Sequence, residues 1–153
     1  MGAPTCLLIE DSKTQALAMS KMIQGLGWTP FMCLGIEQTR SIASGQQFDC
    51  ILLDIFLEDG PSLGHVEELK GRWPNAPISV MTAGNGRIHA YEGLKVARET
   101  GVQFLISKPF TENVLKDILV DAYAMRRGKE RRIHALVVDD SPTFLQLAQH
   151  LLK

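Results

Sequence analysis

Cys50-Ile-Leu-Leu-Asp-Ile-Phe-Leu57 is the stretch whose reading decides the fold. Its apolar residues run unbroken into Asp54, and Glu58-Asp-Gly-Pro61 follows as a turn signal. A short apolar run with no polar alternation marks a strand covered on both faces, hence a central strand of a parallel sheet. A carboxylate at the carboxyl end of such a strand stands on the edge where open α/β sheets bind ligands. The alternative for Asp54 is a cap on the following turn, the commoner fate of an aspartate after a strand.

Outward from this strand the pattern repeats. Thr5-Cys-Leu-Leu-Ile9 reads as a buried strand ending in Glu10-Asp11. Ser12 opens a helix, and Gln15 three residues later completes a capping box. Met19, Met22, Ile23 and Leu26 form one apolar face of that helix, which Gly25 or Gly27 ends. A strand follows over 28–34, then a short polar helix over 36–44. After the strand carrying Asp54, Val66, Leu69 and Trp73 space like a helix that Pro74 terminates. Ile78-Ser-Val-Met-Thr82 is the fourth strand, and residues 87–100 form a helix with Gly101 as its C-cap. Phe104-Leu-Ile-Ser107 is the fifth strand, ending at Lys108-Pro109. Thr111 caps a last helix with Leu115, Ile118, Leu119 and Ala122 on its apolar face. Strands alternating with helices predict a doubly wound α/β fold, a five-stranded parallel sheet with helices on both faces.

Bulk properties narrow the function. The 153 residues suffice for one domain with a sizeable core, and the 45% hydrophobic and 22% charged content is that of a globular chain. A net charge of −1 gives no general attraction to nucleic acid or to an anionic membrane. The apolar runs fall short of the ~18 residues of a membrane span. Met1-Gly-Ala-Pro-Thr-Cys6 has no basic, long-apolar secretory pattern, so the expected location is cytoplasmic. Cys6, Cys33 and Cys50 sit in apolar runs and read as buried thiols. The four histidines lack ligand spacing.

Four strands end in Glu10-Asp11, Asp54, Thr82 and Lys108, and in a parallel sheet these ends share one edge. Carboxylates placed there repel by ~4 kcal/mol per pair at ~4 Å and an effective dielectric of ~20, so the cluster calls for a cation. An all-oxygen site with few protein ligands suits Mg²⁺. Lys108 and Thr82 supply the positive charge and hydroxyl that phosphoryl oxygens take, and Asp54 is the natural nucleophile.

Glu10-Asp11, Asp54 after its apolar strand, Thr82-Ala83 and Lys108-Pro109-Phe110 resemble, in order, the receiver domain of two-component response regulators. The resemblance covers residues 5 to about 126. It implies the strand order 2-1-3-4-5 and phosphorylation of Asp54 from the phosphohistidine of a sensor histidine kinase or phosphotransfer protein. It implies Mg²⁺ on Glu10, Asp11, Asp54 and the main-chain carbonyl of Phe56, with Thr82 and Lys108 on the phosphoryl oxygens. Such a domain is no metabolic enzyme: it catalyses only its own phosphorylation and dephosphorylation, then switches a face formed by the fourth helix, fifth strand and fifth helix. The alternative is a phosphate-independent scaffold or dimerisation module. An Asp-nucleophile phosphohydrolase would want a second Asp where Phe56 stands.

The chain departs from the family in three places. Leu105 stands where an aromatic usually precedes the lysine, and Phe104 falls on the opposite strand face. Glu58 replaces the usual proline, and the span from Thr82 to Lys108 is about one helical turn longer than is common.

Arg126-Arg-Gly-Lys-Glu-Arg-Arg132 reads as the end of the last helix and a basic linker over 127–132; a nucleic-acid patch is disfavoured by the lack of interleaved aromatics. At an offset of 129, Leu136-Val-Val-Asp-Asp-Ser141 repeats Leu7-Leu-Ile-Glu-Asp-Ser12. The expected organisation is therefore a receiver over 1–126 and, over 133–153, the first strand and helix of a truncated second receiver. Asp139 and Asp140 lack partners there, so no second working site is expected. A homodimer through the switching face or through this remnant is the expected self-association, with no membrane partner and no direct nucleic-acid contact.

Overall fold

The computed structural model describes residues 2–58, 60–83 and 99–128. Five parallel strands form one sheet: β1 (Thr5–Ile9), β2 (Thr29–Cys33), β3 (Cys50–Asp54), β4 (Ile78–Ala83) and β5 (Phe104–Lys108). Their order is β2-β1-β3-β4-β5, as the resemblance implies. Among the described residues the α-helices include α1 (Lys13–Gly25), α2 (Ile36–Arg40), α3 (Val66–Arg72) and α4 (Glu112–Arg126). The expected helix over 87–100 lies outside the described residues except for its last two. So do the repeat over 133–153 and most of the linker over 127–132.

Side-chain alternation divides the core into two layers. Leu7, Ile9, Ile51, Leu53, Ile78 and Val80 face α2 and α3, where Ile36, Val66, Leu69 and Trp73 cover them. Cys6, Leu8, Cys50, Leu52, Met81 and Ile106 face α1 and α4, meeting Ala16, Met19, Ile23, Leu115, Leu119 and Ala122. Because both faces are covered, the strands read as continuous apolar runs. Leu8 pairs with Leu52, and Leu52 with Ser79, so the strand tips finish level along one edge.

The apolar run from Cys50 to Leu57 is not one strand. β3 stops at Asp54, and Phe56–Leu57 pairs antiparallel with Gly60–Pro61 in a two-residue ribbon. The cause is Ser62, which donates from Oγ to the Asp54 carbonyl and from N to the Ile55 carbonyl at 3.2 Å. A 3₁₀ turn over Ser62–His65 leads into α3. The helix expected over 36–44 ends at Arg40, because Ser41 Oγ takes the Gln38 carbonyl at 2.8 Å and Arg72 takes those of Thr39 and Ile42. Gly101, at φ +64°, occupies the left-handed conformation expected of a helix C-cap.

The capping box forms by half. Ser12 Oγ accepts from Gln15 N at 3.4 Å, but the Ser12 amide is taken by Glu10 Oε1 at 3.1 Å. The Gln15 side chain is therefore released from the cap. Thr111 Oγ1 accepts from Val114 N at 3.4 Å and caps α4 as expected.

The three cysteines are free and buried. Burial pushes the Cys33 thiol up to about 11, and a hydrogen bond with Cys50 together with burial holds Cys6 well above its ordinary value. Neither is a thiolate at neutral pH. Among the described residues no helix is long and apolar enough to cross a membrane. Since Leu52 and Leu53 are fully buried in opposite layers, each mutated to Ala should cost about 2–5 kcal/mol in urea unfolding. A loss below about 1 kcal/mol at either site would show that its layer is loosely packed.

Candidate functional site

Three strand tips converge at the carboxyl edge of the sheet. Glu10 and Asp11 follow β1, Asp54 ends β3, and Lys108 ends β5. Glu10, Asp11 and Asp54 each place a carboxylate oxygen within 4.8 Å of the others. Glu10 is 1% and Asp54 4% exposed, so this charge is concentrated where water screens it poorly. Lys108 Nζ lies 2.9 Å from Glu10 Oε2 and pairs with Asp54 Oδ2. Its third partner is Gln15 Oε1, at 3.2 Å.

The electrostatics follow from that packing. Burial pushes the Glu10 carboxyl above its ordinary value; the Lys108 hydrogen bond opposes the shift and neighbouring Asp54 reinforces it. Burial alone would push the Lys108 ammonium down, but Asp54 and Glu10 outweigh it and hold the ammonium above the usual lysine value. Lys108 therefore stays charged at neutral pH.

Main-chain amides hold the carboxylates in place. Phe56 N donates to Asp54 Oδ1 at 2.9 Å, and Glu58 N donates to Asp11 Oδ2 at 2.7 Å. The second bond depends on residue 58 having an N–H, which a proline would lack. Three carboxylates face one ammonium, and hard oxygen donors in negative excess are the donor set of a small divalent cation such as Mg²⁺.

Of the other expected site residues, Phe56 bonds to the cluster through its main chain, and Thr82 bonds to β5. Thr82 is buried on β4, and its hydroxyl lies 3.5 Å from both the Ile106 carbonyl and Ser107 Oγ, so it addresses β5. Phe56 follows Asp54 by two residues and is 61% exposed. Leu105 packs toward the α2–α3 layer and Phe104 toward the α1–α4 layer, on opposite strand faces as period-two alternation requires.

Two residues of this site escaped the sequence reading. Ser62 fixes the carbonyl of Asp54 from eight residues away, and nothing local to Ser62 signals it. The capping-box pattern places Gln15 in the helix cap, and only the competing Glu10 bond leaves its side chain to Lys108. Beside them an open groove of about 500 Å³ runs between Gln15, Met19 and Met22 on α1 and Lys108-Pro109-Phe110.

Comparison with known proteins agrees with this geometry. The family model for the response regulator receiver domain matches residues 6–120. The photosynthetic apparatus regulatory protein RegA of Rhodovulum sulfidophilum is 28% identical over 110 residues, covering 72% of this chain and 58% of that protein. The transcriptional regulatory protein ZraR of Escherichia coli is 24% identical over 152 residues, covering 95% of this chain and 33% of its own length. The chain thus spans less than two thirds of these relatives. Among solved structures, a CheY-like receiver domain protein from Methanospirillum hungatei superposes with a TM-score of 0.72 at 15% identity, over 84% of this chain and 100% of that one. Vibrio cholerae CheY4 gives 0.69 at 17% identity, over 79% and 99%. The parallel sheet, the acidic cluster at its edge and the family match lead to one conclusion: the chain belongs to the response regulator receiver domain family.

Proposed function

We propose that Asp54 accepts a phosphoryl group from the phosphohistidine of a sensor histidine kinase or phosphotransfer protein, in a Mg²⁺-dependent reaction. The observation that carries this reading is the buried Asp54 carboxylate, packed against Glu10 and Asp11 and paired with Lys108. A carboxylate oxygen of Asp54 forms the new bond to phosphorus. The phosphorus–nitrogen bond breaks, and its electron pair returns to the imidazole. Lys108 neutralises charge on the phosphoryl oxygens of a loose transition state.

Glu10, Asp11, Asp54 and the main-chain carbonyl of Phe56 would hold Mg²⁺, which supplies positive charge for the phosphoryl oxygens when bound. The Glu58 and Phe56 amides keep two of these carboxylates oriented without spending charge. The long hydrogen bonds of Thr82 to β5 are weak enough to be exchanged for a phosphoryl oxygen. That exchange would shift a pre-existing equilibrium at β5, α4 and the helix expected over 87–100, the proposed partner and homodimer face.

The domain's catalysis is confined to its own phosphorylation and dephosphorylation, in the cytoplasm. ZraR is a transcriptional regulatory protein, and this chain would likewise feed an output carried elsewhere. The repeat of Leu7–Ser12 at Leu136–Ser141 supports a second receiver beginning at about 133, joined by the basic linker.

Incubation with acetyl phosphate and Mg²⁺ should add one phosphate by intact mass, and Asp54→Asn should abolish the gain. No gain at any Mg²⁺ concentration would favour the phosphate-independent scaffold. Asp11→Ala should weaken Mg²⁺ binding by about tenfold or more in calorimetry while leaving the unfolding midpoint within a few degrees. A collapse in stability instead would make Asp11 structural.

Lys108→Met should cost about 3 kcal/mol in urea unfolding at pH 7, because Glu10 and Asp54 are left buried without their cation. Glu10 binds its proton more tightly folded than unfolded, so its contribution to stability is present below the ordinary carboxylate value and lost as pH rises through the raised one. The Lys108→Met deficit should accordingly shrink toward pH 4.5, and a deficit independent of pH would contradict this electrostatic origin.

A further inference from the structure

We propose that Gln15 is a positioning residue for Lys108, holding the ammonium against the phosphoryl site from the α1 side and so setting the rate of phosphoryl transfer to Asp54. This rests on Asp54 being the phosphoacceptor. A lysine ammonium has three N–H donors, and among the described residues Lys108 has three acceptors: Glu10 Oε2 at 2.9 Å, Asp54 Oδ2, and Gln15 Oε1 at 3.2 Å. The set is complete only with the glutamine. Because an ammonium solely donates, the atom facing it must be the amide oxygen.

The three acceptors do not behave alike through the reaction. Asp54 gives up its carboxylate when it becomes an acyl phosphate, and Glu10 would share its charge with a bound cation. Gln15 neither titrates nor loses its lone pairs, so it is the acceptor that persists in every state. Lys108 needs such an anchor, since its four-carbon stem is flexible and its point charge has no fixed direction of its own. Gln15 is available because Glu10 Oε1, not the glutamine, takes the Ser12 amide. It stands at the rim of the open groove beside Lys108, Pro109 and Phe110, where an arriving donor protein's contact with α1 would bear on it directly.

The side chain is exposed, while α1 is held to the sheet by buried Ala16, Met19 and Ile23, so substitution leaves the core untouched. The test uses the full chain with Gln15→Leu, which removes the acceptor, and Gln15→Glu, which keeps one. Two quantities are read: the initial rate of phosphate gain from acetyl phosphate at saturating Mg²⁺, and the ¹⁵N-detected ammonium resonance of Lys108. Gln15→Leu should slow the gain by roughly fivefold and broaden the ammonium resonance through faster solvent exchange, with the unfolding midpoint unchanged. Gln15→Glu should retain the resonance. A Gln15→Leu rate within about twofold of the native chain, or an unaltered resonance, overturns the proposal. Absence of any phosphate gain in the native chain would instead sink Asp54 as the acceptor, and the resonance alone would then decide what Gln15 does.

Discussion

The organising interaction is the ion cluster of Lys108 with Glu10 and Asp54. An ammonium from the edge strand β5, its side chain only 17% exposed, sits between two nearly buried carboxylates from the interior strands β1 and β3. Breaking such a cluster leaves buried charge without a partner, which is costly, whereas the intact cluster contributes little net stability because desolvation offsets attraction. Its presence is therefore better explained by chemistry than by folding. The sheet's geometry serves it: level strand tips are what bring residues 10, 54 and 108 within bonding distance.

The segment after Asp54 then does the fine positioning. Ser62 ends β3 by taking the Asp54 carbonyl, and the amides of Phe56 and Glu58 reach back to Asp54 and Asp11. A continuous strand would have carried those amides into the ladder and away from the carboxylates. The same bend leaves Phe56 projecting into solvent beside the site while Leu57 stays buried. Exposure at one position and burial at the next follow from a two-residue ribbon.

Most of the architecture was legible in the residues themselves. Five apolar runs, each closed by a turn signal and followed by a helical face, gave the parallel sheet, and the strand-end carboxylates with Lys108 gave the site. The strand order came from the resemblance. What escaped the reading shares one physical cause: it is decided by side chains bonding to main-chain or polar groups far away in sequence. Arg72 shortens α2 from more than thirty residues off, Ser62 ends β3, and the Gln15 side chain goes to a lysine at the tip of the edge strand. Periodicity is local, and none of these bonds is.

The central claim is that chemistry occurs on one particular carboxylate among three crowded neighbours. An acyl phosphate is reduced by borohydride to an alcohol, which marks its position permanently. After reaction with acetyl phosphate and Mg²⁺, borohydride treatment and peptide sequencing by mass spectrometry should find homoserine at position 54 alone. Reduction at residue 10 or 11, or a phosphorylated chain with no reduced residue at 54, would contradict the account.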